Sequence, residues 1–298
     1  MLNSIIQGIL LGGYYALIAS GLSFMFSVMR IINLAHGSLA VVAAYALWVL
    51  AEKFGIHPFL GLLIVLPAMG LIGWALQRFV LERSIRSGAL LPILTTFGLA
   101  IVIDNLLFEQ FGADTRSLAP YIGSLSYDAF ELPGGFYVGQ LAVLTFAVAV
   151  VMLGGLQAML SFTPLGRAIR AIAEDPDTAG LVGINASRVN ALATGLAMIT
   201  VGVAGAFLAM RATFDAYAGA PQLLFAFEAA VIGGAGSVWG TLIGGIVLGL
   251  AQALGAQIAP QGFLIGGHAV FLAVLFARLF IPGLGFSARV RSLFRRST

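Results

Sequence analysis

The stretch MRIINLAHGSLAVVAAYALWVL, residues 29–50, places polar residues at the mouth of an apolar run. Asn33, His36, Gly37 and Ser38 fall close together, where a segment long enough to cross a membrane begins. A helix that faces lipid has no use for these side chains. The pattern therefore predicts a bent backbone that is buried in protein or lines a water-filled path.

Composition places the chain among integral membrane proteins. Hydrophobic residues make up 60% of the 298 residues, charged residues only 9%, and the mean hydropathy is +1.03. Soluble domains carry about 25% charged residues, so this chain could not cover a soluble core. The 38 glycines favour close helix packing and helix breaks. The lack of cysteine excludes a disulfide framework, and no basic residue precedes Arg30, so no cleaved targeting peptide is expected.

Uncharged runs of about 20 residues predict an all-α, polytopic membrane protein with about eight membrane elements in one domain, residues 1–298. The run 229–267 would be about 60 Å long as one helix, twice the hydrocarbon thickness, so it must break. The glycines of VIGGAGSVWGTLIGG predict that break. Residues 223–232 are then a re-entrant half-helix, and 238–256 form the returning leg. The other predicted elements are residues 5–29, 31–51, 58–77, 89–108, 135–162, 189–210 and 266–280.

Arginine placement predicts the orientation, because cytoplasmic loops of membrane proteins carry an excess of basic residues. Most of the 15 basic residues fall in the loops 78–88 and 163–188 and in the C-terminal tail. The acidic loop 109–135 falls on the opposite side. We therefore expect the N-terminus outside and the C-terminus in the cytoplasm.

Two interruptions of similar pattern, AHGSLAV (35–41) and GAGSVWG (234–240), are entered from opposite sides in this topology. Such pairs are typical of inverted-repeat transporters with a site near the membrane midplane, although two identical residues can also match by chance. On this interpretation the substrate path is lined by Asn33, His36, Gly37, Ser38, Glu228, Gly233, Gly234, Gly236 and Ser237.

Some of these polar residues have a second interpretation. Asn33 and His36 can cap a frayed helix start near the cytoplasmic surface, which is compatible with lining a path. Asp104 and Glu228 are ionisable residues in apolar segments and so are functional candidates. Both are expected near the outer surface. Asp104 is interpreted as an interfacial or helix-bonding residue, whereas Glu228 stays open between the two roles.

Enzyme motifs are missing from the sequence. The single lysine, Lys53, lies outside any glycine-rich loop, which excludes a P-loop and ATP hydrolysis by that route. The histidines His36, His57 and His268 are too scattered to indicate a metal site. We therefore expect a transport protein with no catalytic residue, metal or cofactor of its own.

The cytoplasmic loop 163–188 carries helix signals. Asp175 is a good N-cap, Pro176 suits the first helical position, and Gly183 is a natural stop. These signals predict a helix over residues 176–182. It is either a simple surface turn or, as we favour, an element that docks into a partner's groove.

Three blocks together resemble the permeases of bacterial branched-chain amino acid ABC transporters: GLSFMFSVMRIINLAHG, GRAIRAIAEDPDTAGLVGIN and AAVIGGAGSVWGTLIGGIVLGLAQAL. The resemblance runs end to end and is to the first of the two paralogous permease subunits of the high-affinity Leu/Ile/Val importer. It implies a place in the inner membrane beside a second permease subunit, which is a copy or a paralogue. It also implies two cytoplasmic ATP-binding subunits, which would hold ATP and Mg²⁺, and a periplasmic solute-binding protein.

The resemblance further implies that the cytoplasmic loop couples the permease to the ATPase. Proteins similar to this chain also import urea or short amides, so a permease for those solutes stays an alternative. A self-sufficient carrier or channel for a small solute is another, with Asp104 or Glu228 coupling ions. A purely structural role as a membrane scaffold is disfavoured, because such a role does not require polar breaks in two membrane segments. The residues implied in coupling are Glu174, Asp175, Pro176, Gly180, Gly183 and Ile184.

Overall fold

The computed structural model describes residues 1–88, 90–132 and 135–280. Helices dominate this part of the chain, and seven of them are long and apolar enough to cross a membrane. Two more, the tenth and twelfth, are apolar and complete the bundle. The predicted all-α, polytopic class is confirmed. The elements are α1 (Leu2–Met29), α2 (His36–Phe54), α3 (Pro58–Leu76), α4 (Glu82–Arg86), α5 (Leu91–Phe111), β1 (Ala129–Leu132), β2 (Phe136–Gly139), α6 (Gln140–Phe162), α7 (Pro164–Glu174), α8 (Pro176–Leu181), α9 (Ala186–Arg211), α10 (Gly219–Gly233), α11 (Val238–Ile258) and α12 (Gly262–Phe280).

The helix bundle has two ends, and α6 runs from one to the other. We call the end that holds residues 112–139 the outer end and the end that holds residues 163–185 the inner end. The short antiparallel hairpin of β1 and β2 belongs to the outer end. Arg30 and the arginines of the 78–88 loop belong to the inner end, as the charge pattern predicts.

Helices α1 and α9 form the centre of the bundle. About four fifths of the apolar stretch of each is buried, whereas α5 buries 11% of its own. Helix α5 leaves Phe97 and Ile101 exposed and therefore lies at the periphery, facing lipid or a partner. Glycines allow the central packing, because Gly8 and Gly12 of α1 meet Gly249 and Gly245 of α11 backbone to backbone.

The two halves of the chain repeat one packing arrangement in opposite directions. Helix α1 packs antiparallel on α11, and α9 packs antiparallel on α3, where Gly195 meets Gly70. Helix α2 lies beside α9, and α10 lies beside α1. The order α1, α2, α3 is therefore repeated by α9, α10, α11. This packing supports the predicted inverted pseudo-repeat.

Two non-helical segments, 30–35 and 212–218, mark equivalent places in these halves. In the first, Asn33 Oδ1 accepts the Ala35 N–H at 3.0 Å, and in the second, Asp215 Oδ1 accepts the Tyr217 N–H at 2.8 Å. Helices α2 and α10 follow directly, so both begin inside the bundle. The first turns of α2 and α10 meet where the backbones of Gly37 and Gly219 touch. Gly37 lies four residues after Asn33, and Gly219 lies four residues after Asp215.

The structure thus pairs the interruptions differently from the sequence prediction. The partner of the break before α2 is the segment 212–218, not the Gly-Ser turn of residues 234–240. That turn lies beside Ser23 and Ser27, near the inner end of α1. Segment 212–218 looks like an outer loop in the sequence because it is polar. It enters the bundle because buried Phe214 pairs its backbone with that of Arg116.

Several predicted boundaries also shift. The second span begins at His36 rather than residue 31, because Arg30 takes a left-handed conformation (φ 54°) that ends α1. Residues 136–139 form a strand, so α6 begins at Gln140 and not at residue 135. The half-helix is confirmed but begins at Gly219, before the predicted residue 223. The basic tail, residues 281–298, lies outside the described residues.

The contact between the first turns of α2 and α10 generates a stability prediction. A Cβ at Gly37 would lie 2.8 Å from the Gly219 carbonyl carbon, with backbone on both sides and no side chain able to yield. We expect Gly37→Ala to destabilise the protein by about 1–3 kcal/mol, as overpacking does. The measurement is thermal unfolding of the purified protein in detergent.

Gly98→Ala is the matched control. Gly98 lies in α5 with open space around a built Cβ, so alanine should leave the melting temperature unchanged or raise it through helix propensity. Equal melting of Gly37→Ala and the unchanged protein would show that the close approach is not required.

Candidate functional site

The first interruption is held by side chains that serve the backbone. Asn33 and His36 are fully buried, and Asn33 caps the Ala35 amide. His36 Nε2–H donates to the Ile18 carbonyl at 2.7 Å, about halfway along α1. Nδ1 of neutral His36 is then an acceptor, and no described residue donates to it. Asn33 therefore pairs the amide of the residue before α2 and does not cap the helix itself, and it is buried in the bundle rather than near the surface.

Helix α5 supports this interruption from the periphery. The Leu34 N–H donates to Thr96 Oγ1 at 3.0 Å, and Thr96 is fully buried. On the same helix, Asp104 is half-buried, and its Oδ1 has no hydrogen-bond partner among the described residues. Its interpretation as an interfacial or helix-bonding residue stays a prediction. Thr96 has no sequence signal that would have singled it out.

The predicted glycine break is a tight turn between α10 and α11. Gly234 and Gly236 have φ of 96° and 89°, a region that only glycine enters easily. The Gly236 N–H donates to Ser23 Oγ at 3.2 Å, and Ser237 Oγ caps α11 by accepting the Gly240 N–H at 3.0 Å. The turn is thus fixed to α1 at the inner end.

A cavity of about 400 Å³ separates this turn from the loop 163–188. Gly236, Ser237 and Trp239 line one side, and Ile169 and Arg170 of α7 line the other. The structure therefore brings the glycine break and the loop 163–188 next to each other, which the sequence prediction did not anticipate. The loose packing leaves room for one to move against the other.

The loop itself contains two helices rather than one. Thr163 caps the first, α7, by accepting the Gly166 N–H at 3.0 Å. Helix α7 turns Ile169 and Ile172 inward and is strongly amphipathic. The apolar spacing of PLGRAIRAIAE is the signal that would have predicted it.

The helix predicted over residues 176–182 is the second of the two, α8, and is confirmed over Pro176–Leu181. Asp175 Oδ1 accepts the Asp177 and Thr178 amides at 3.0 and 3.1 Å, and the Thr178 hydroxyl donates to Oδ2. These bonds from Thr178, the side-chain bond above all, lower the pKa of the Asp175 carboxyl. Because its folded pKa is depressed, the cap is complete above the ordinary aspartate range and weakens only in acid.

Helix α8 ends in an exposed apolar tip. Gly183 takes φ 85° and donates its N–H to the Gly180 carbonyl at 3.0 Å, which closes the helix as predicted. Leu181 and Val182 are 87% and 75% exposed. Among the other predicted coupling residues, Glu174, Asp175 and Pro176 are exposed and Ile184 is half-buried.

A polar cluster lies among α1, α10, α11 and α12. Glu228 is 1% exposed, and its Oε1 accepts a hydrogen bond from His268 Nδ1 at 2.5 Å. Tyr15 Oη donates to Gln252 Oε1 close by. Glu228 Oε2 and Gln252 Nε2 have no partner among the described residues. The sequence prediction named Glu228 but missed its partner, because His268 is 40 residues away.

The residues predicted to line a substrate path fall into three groups rather than one site. Asn33, His36, Gly37 and Ser38 lie at the first break. Glu228 lies in the polar cluster between α10 and α12. The glycines and Ser237 lie at the inner turn, and their role in a path stays a prediction. In the described residues, no cluster of His, Asp and Glu could hold a metal ion.

Known proteins are similar to this chain over most of its length. Residues 4–281 match the family model described as branched-chain amino acid transport system, permease component. The high-affinity branched-chain amino acid transport system permease protein BraD of Pseudomonas aeruginosa is 28% identical over 86% of this chain and 87% of its own length. The proteins named LivH, of the same description, from Escherichia coli and Salmonella typhimurium are each 30% identical over 85% of both chains.

The pair of Glu228 and His268 generates a prediction on helix packing. Removing His268 leaves the buried Glu228 carboxyl without a partner, which costs about 1–3 kcal/mol. We expect a double-mutant cycle with Glu228→Ala and His268→Ala to show a coupling of about that size, with the double variant less destabilised than the sum. Melting temperatures in detergent provide the measurement. Additive effects would mean that the bond does not hold α12 to α10.

Proposed function

Because this chain belongs to the family of branched-chain amino acid transport system permease components, we propose that it is the membrane gate of an ATP-driven importer. In this proposal separate ATP-binding subunits dock at the inner end, and a solute-binding protein delivers its ligand to the outer end. A second permease subunit, a copy or a paralogue, completes the path. The solute is a branched-chain or related small amino acid.

The observation that carries the proposal is the exposed tip of α8. Leu181 and Val182 lie beyond the spans at the arginine-rich end, where the rest of the described chain leaves them uncovered. Exposed apolar side chains on a capped helix are typical of a docking element. The sequence has no P-loop, so in this proposal the energy comes from the partner that receives this tip.

The path of coupling follows from the contacts behind α8. A push on α8 reaches α7 through Asp175, which ends one helix and caps the next. Helix α7 faces the turn 234–237 across the inner cavity. That turn is bonded to Ser23 of α1, so movement there shifts α1 and α10 together.

A self-sufficient carrier is the second candidate, supported by the buried carboxylate of Glu228. Transport assays in liposomes distinguish the self-sufficient carrier from the ATP-driven importer. We expect the chain alone to move no leucine, with or without a proton or sodium gradient. Addition of the binding protein, the second permease and the ATPase subunits should give uptake that requires ATP. Gradient-driven uptake by the chain alone would overturn the importer proposal.

The coupling loop generates a mutational prediction. Proline fixes φ at about −65°, whereas Gly183 requires 85°, and it also removes the N–H that bonds to Gly180. We expect Gly183→Pro to lower solute-stimulated ATPase activity by about tenfold or more, since the misfit costs about 3 kcal/mol. The amount of protein in the membrane should not change.

Gly183→Asn is the matched control, because asparagine tolerates the left-handed conformation better than other residues. It should keep most of the coupled activity. If Gly183→Pro couples as well as Gly183→Asn, the geometry of this loop does not transmit the ATPase stroke.

A further inference from the structure

Two cavities open at the outer end, and Arg211 lines both. The first has a volume of about 280 Å³ and the second about 350 Å³. They share Gln7, Leu11 and Arg211, so these side chains form the wall between them.

Arg211 is exposed, and its guanidinium contacts an aromatic ring without being neutralised. It is the last residue of α9, and its Cζ lies 4.4 Å from the centre of the Tyr14 ring. Tyr14 is itself buried and donates to Gln222 Oε1 at 2.6 Å. In the part of the chain that the structure describes, no carboxylate lies within 4 Å of Arg211.

Arg116, at the same end, shows the usual arrangement, in which an arginine that lies over an aromatic ring is also paired with a carboxylate. Its guanidinium lies over Trp48 at 4.7 Å and also meets the Asp114 carboxylate at 3.4 Å. A cation at the end of a helix is favoured by the helix dipole, and this would account for a basic residue at position 211. It does not account for its place between two cavities with no carboxylate of the described residues beside it.

The lining of the first cavity indicates what the guanidinium would bind. Leu10, Leu141 and Met210 provide apolar walls, while Gln7 and Thr145 provide neutral polar groups. No acidic residue lines it. A guanidinium beside apolar walls fits a small carboxylate that carries an aliphatic group.

We propose that Arg211 binds the carboxylate of the incoming solute in the outer cavity, and that the apolar wall contacts its aliphatic side chain. This inference rests on the proposed import function and narrows its substrate class. A neutral solute such as urea or a short amide has no charge to pair with Arg211. The cavity therefore selects amino acids over amides at the first step of passage.

The test uses the fact that the chain has no cysteine. Ala142→Cys places one thiol in the first cavity, where it can be labelled with an anionic or a cationic methanethiosulfonate of similar size. We expect faster labelling by the anionic reagent. Adding Arg211→Gln should lower the ratio of anionic to cationic rates by about tenfold, the effect of one nearby charge in a partly solvated site.

Three comparisons make this result specific. Arg211→Lys should keep the ratio high, because it keeps the charge. Arg116→Gln should leave the ratio unchanged, since Arg116 lines neither cavity. A thiol at exposed Ser124, outside the cavities, should label equally with or without Arg211. An unchanged ratio in the Arg211→Gln background would overturn the proposal.

The complete importer provides a second readout. Leucine, but not leucinamide, should slow labelling of Ala142→Cys, and Arg211→Gln should abolish that protection. Equal protection by the two compounds would contradict carboxylate recognition. These outcomes concern the outer cavity alone, so they are distinct from a failure of ATP-dependent uptake, which would contradict the importer itself.

Discussion

The structure depends on how two helices can begin inside an apolar bundle. Backbone N–H and C=O groups away from water need partners, and a break between helices leaves some of them unpaired. In this chain Asn33 and Asp215 accept the amides two residues ahead of them, in the segments that precede α2 and α10. The helices that follow meet where Gly37 and Gly219 touch. A side chain at either glycine would force α2 and α10 apart.

Glycine also explains how the helices pack so closely. The backbones of α1 and α11 touch at two pairs of glycines, and those of α3 and α9 touch at Gly70 and Gly195. In a membrane, helix association relies on close packing, because lipid is as apolar as the helix surfaces. The outer cavities and the 400 Å³ cavity at the inner turn lie at the two ends of this packing. In the proposed transport cycle, binding and movement are expected at these cavities.

Much of this fold could be predicted from composition and local rules. The membrane class, most spans, the glycine turn at 234–237 and the cap at Asp175 all follow from short-range physics. What failed was the long-range pairing. NLAHG at 33–37 and DAYAG at 215–219 share an acceptor side chain four residues before a glycine. A match of this kind over five residues is too weak to reveal from the sequence that the two segments are equivalent. Contacts such as Glu228 with His268 and Leu34 with Thr96 join distant segments, and a single sequence contains no rule that links them.

The remaining step is how the two ends communicate. Helix α9 begins beside the coupling loop, where Asn185 caps it, and ends at Arg211 in the wall of the outer cavities. Its 26 residues contain no proline and span about 39 Å at 1.5 Å per residue. Such a helix transmits displacement as a rod rather than bending. In the proposed importer, a tilt imposed by an ATPase subunit at the inner end would therefore move the guanidinium of Arg211 relative to Tyr14 on α1. Solute capture outside and the stroke inside would then be two ends of one rigid element.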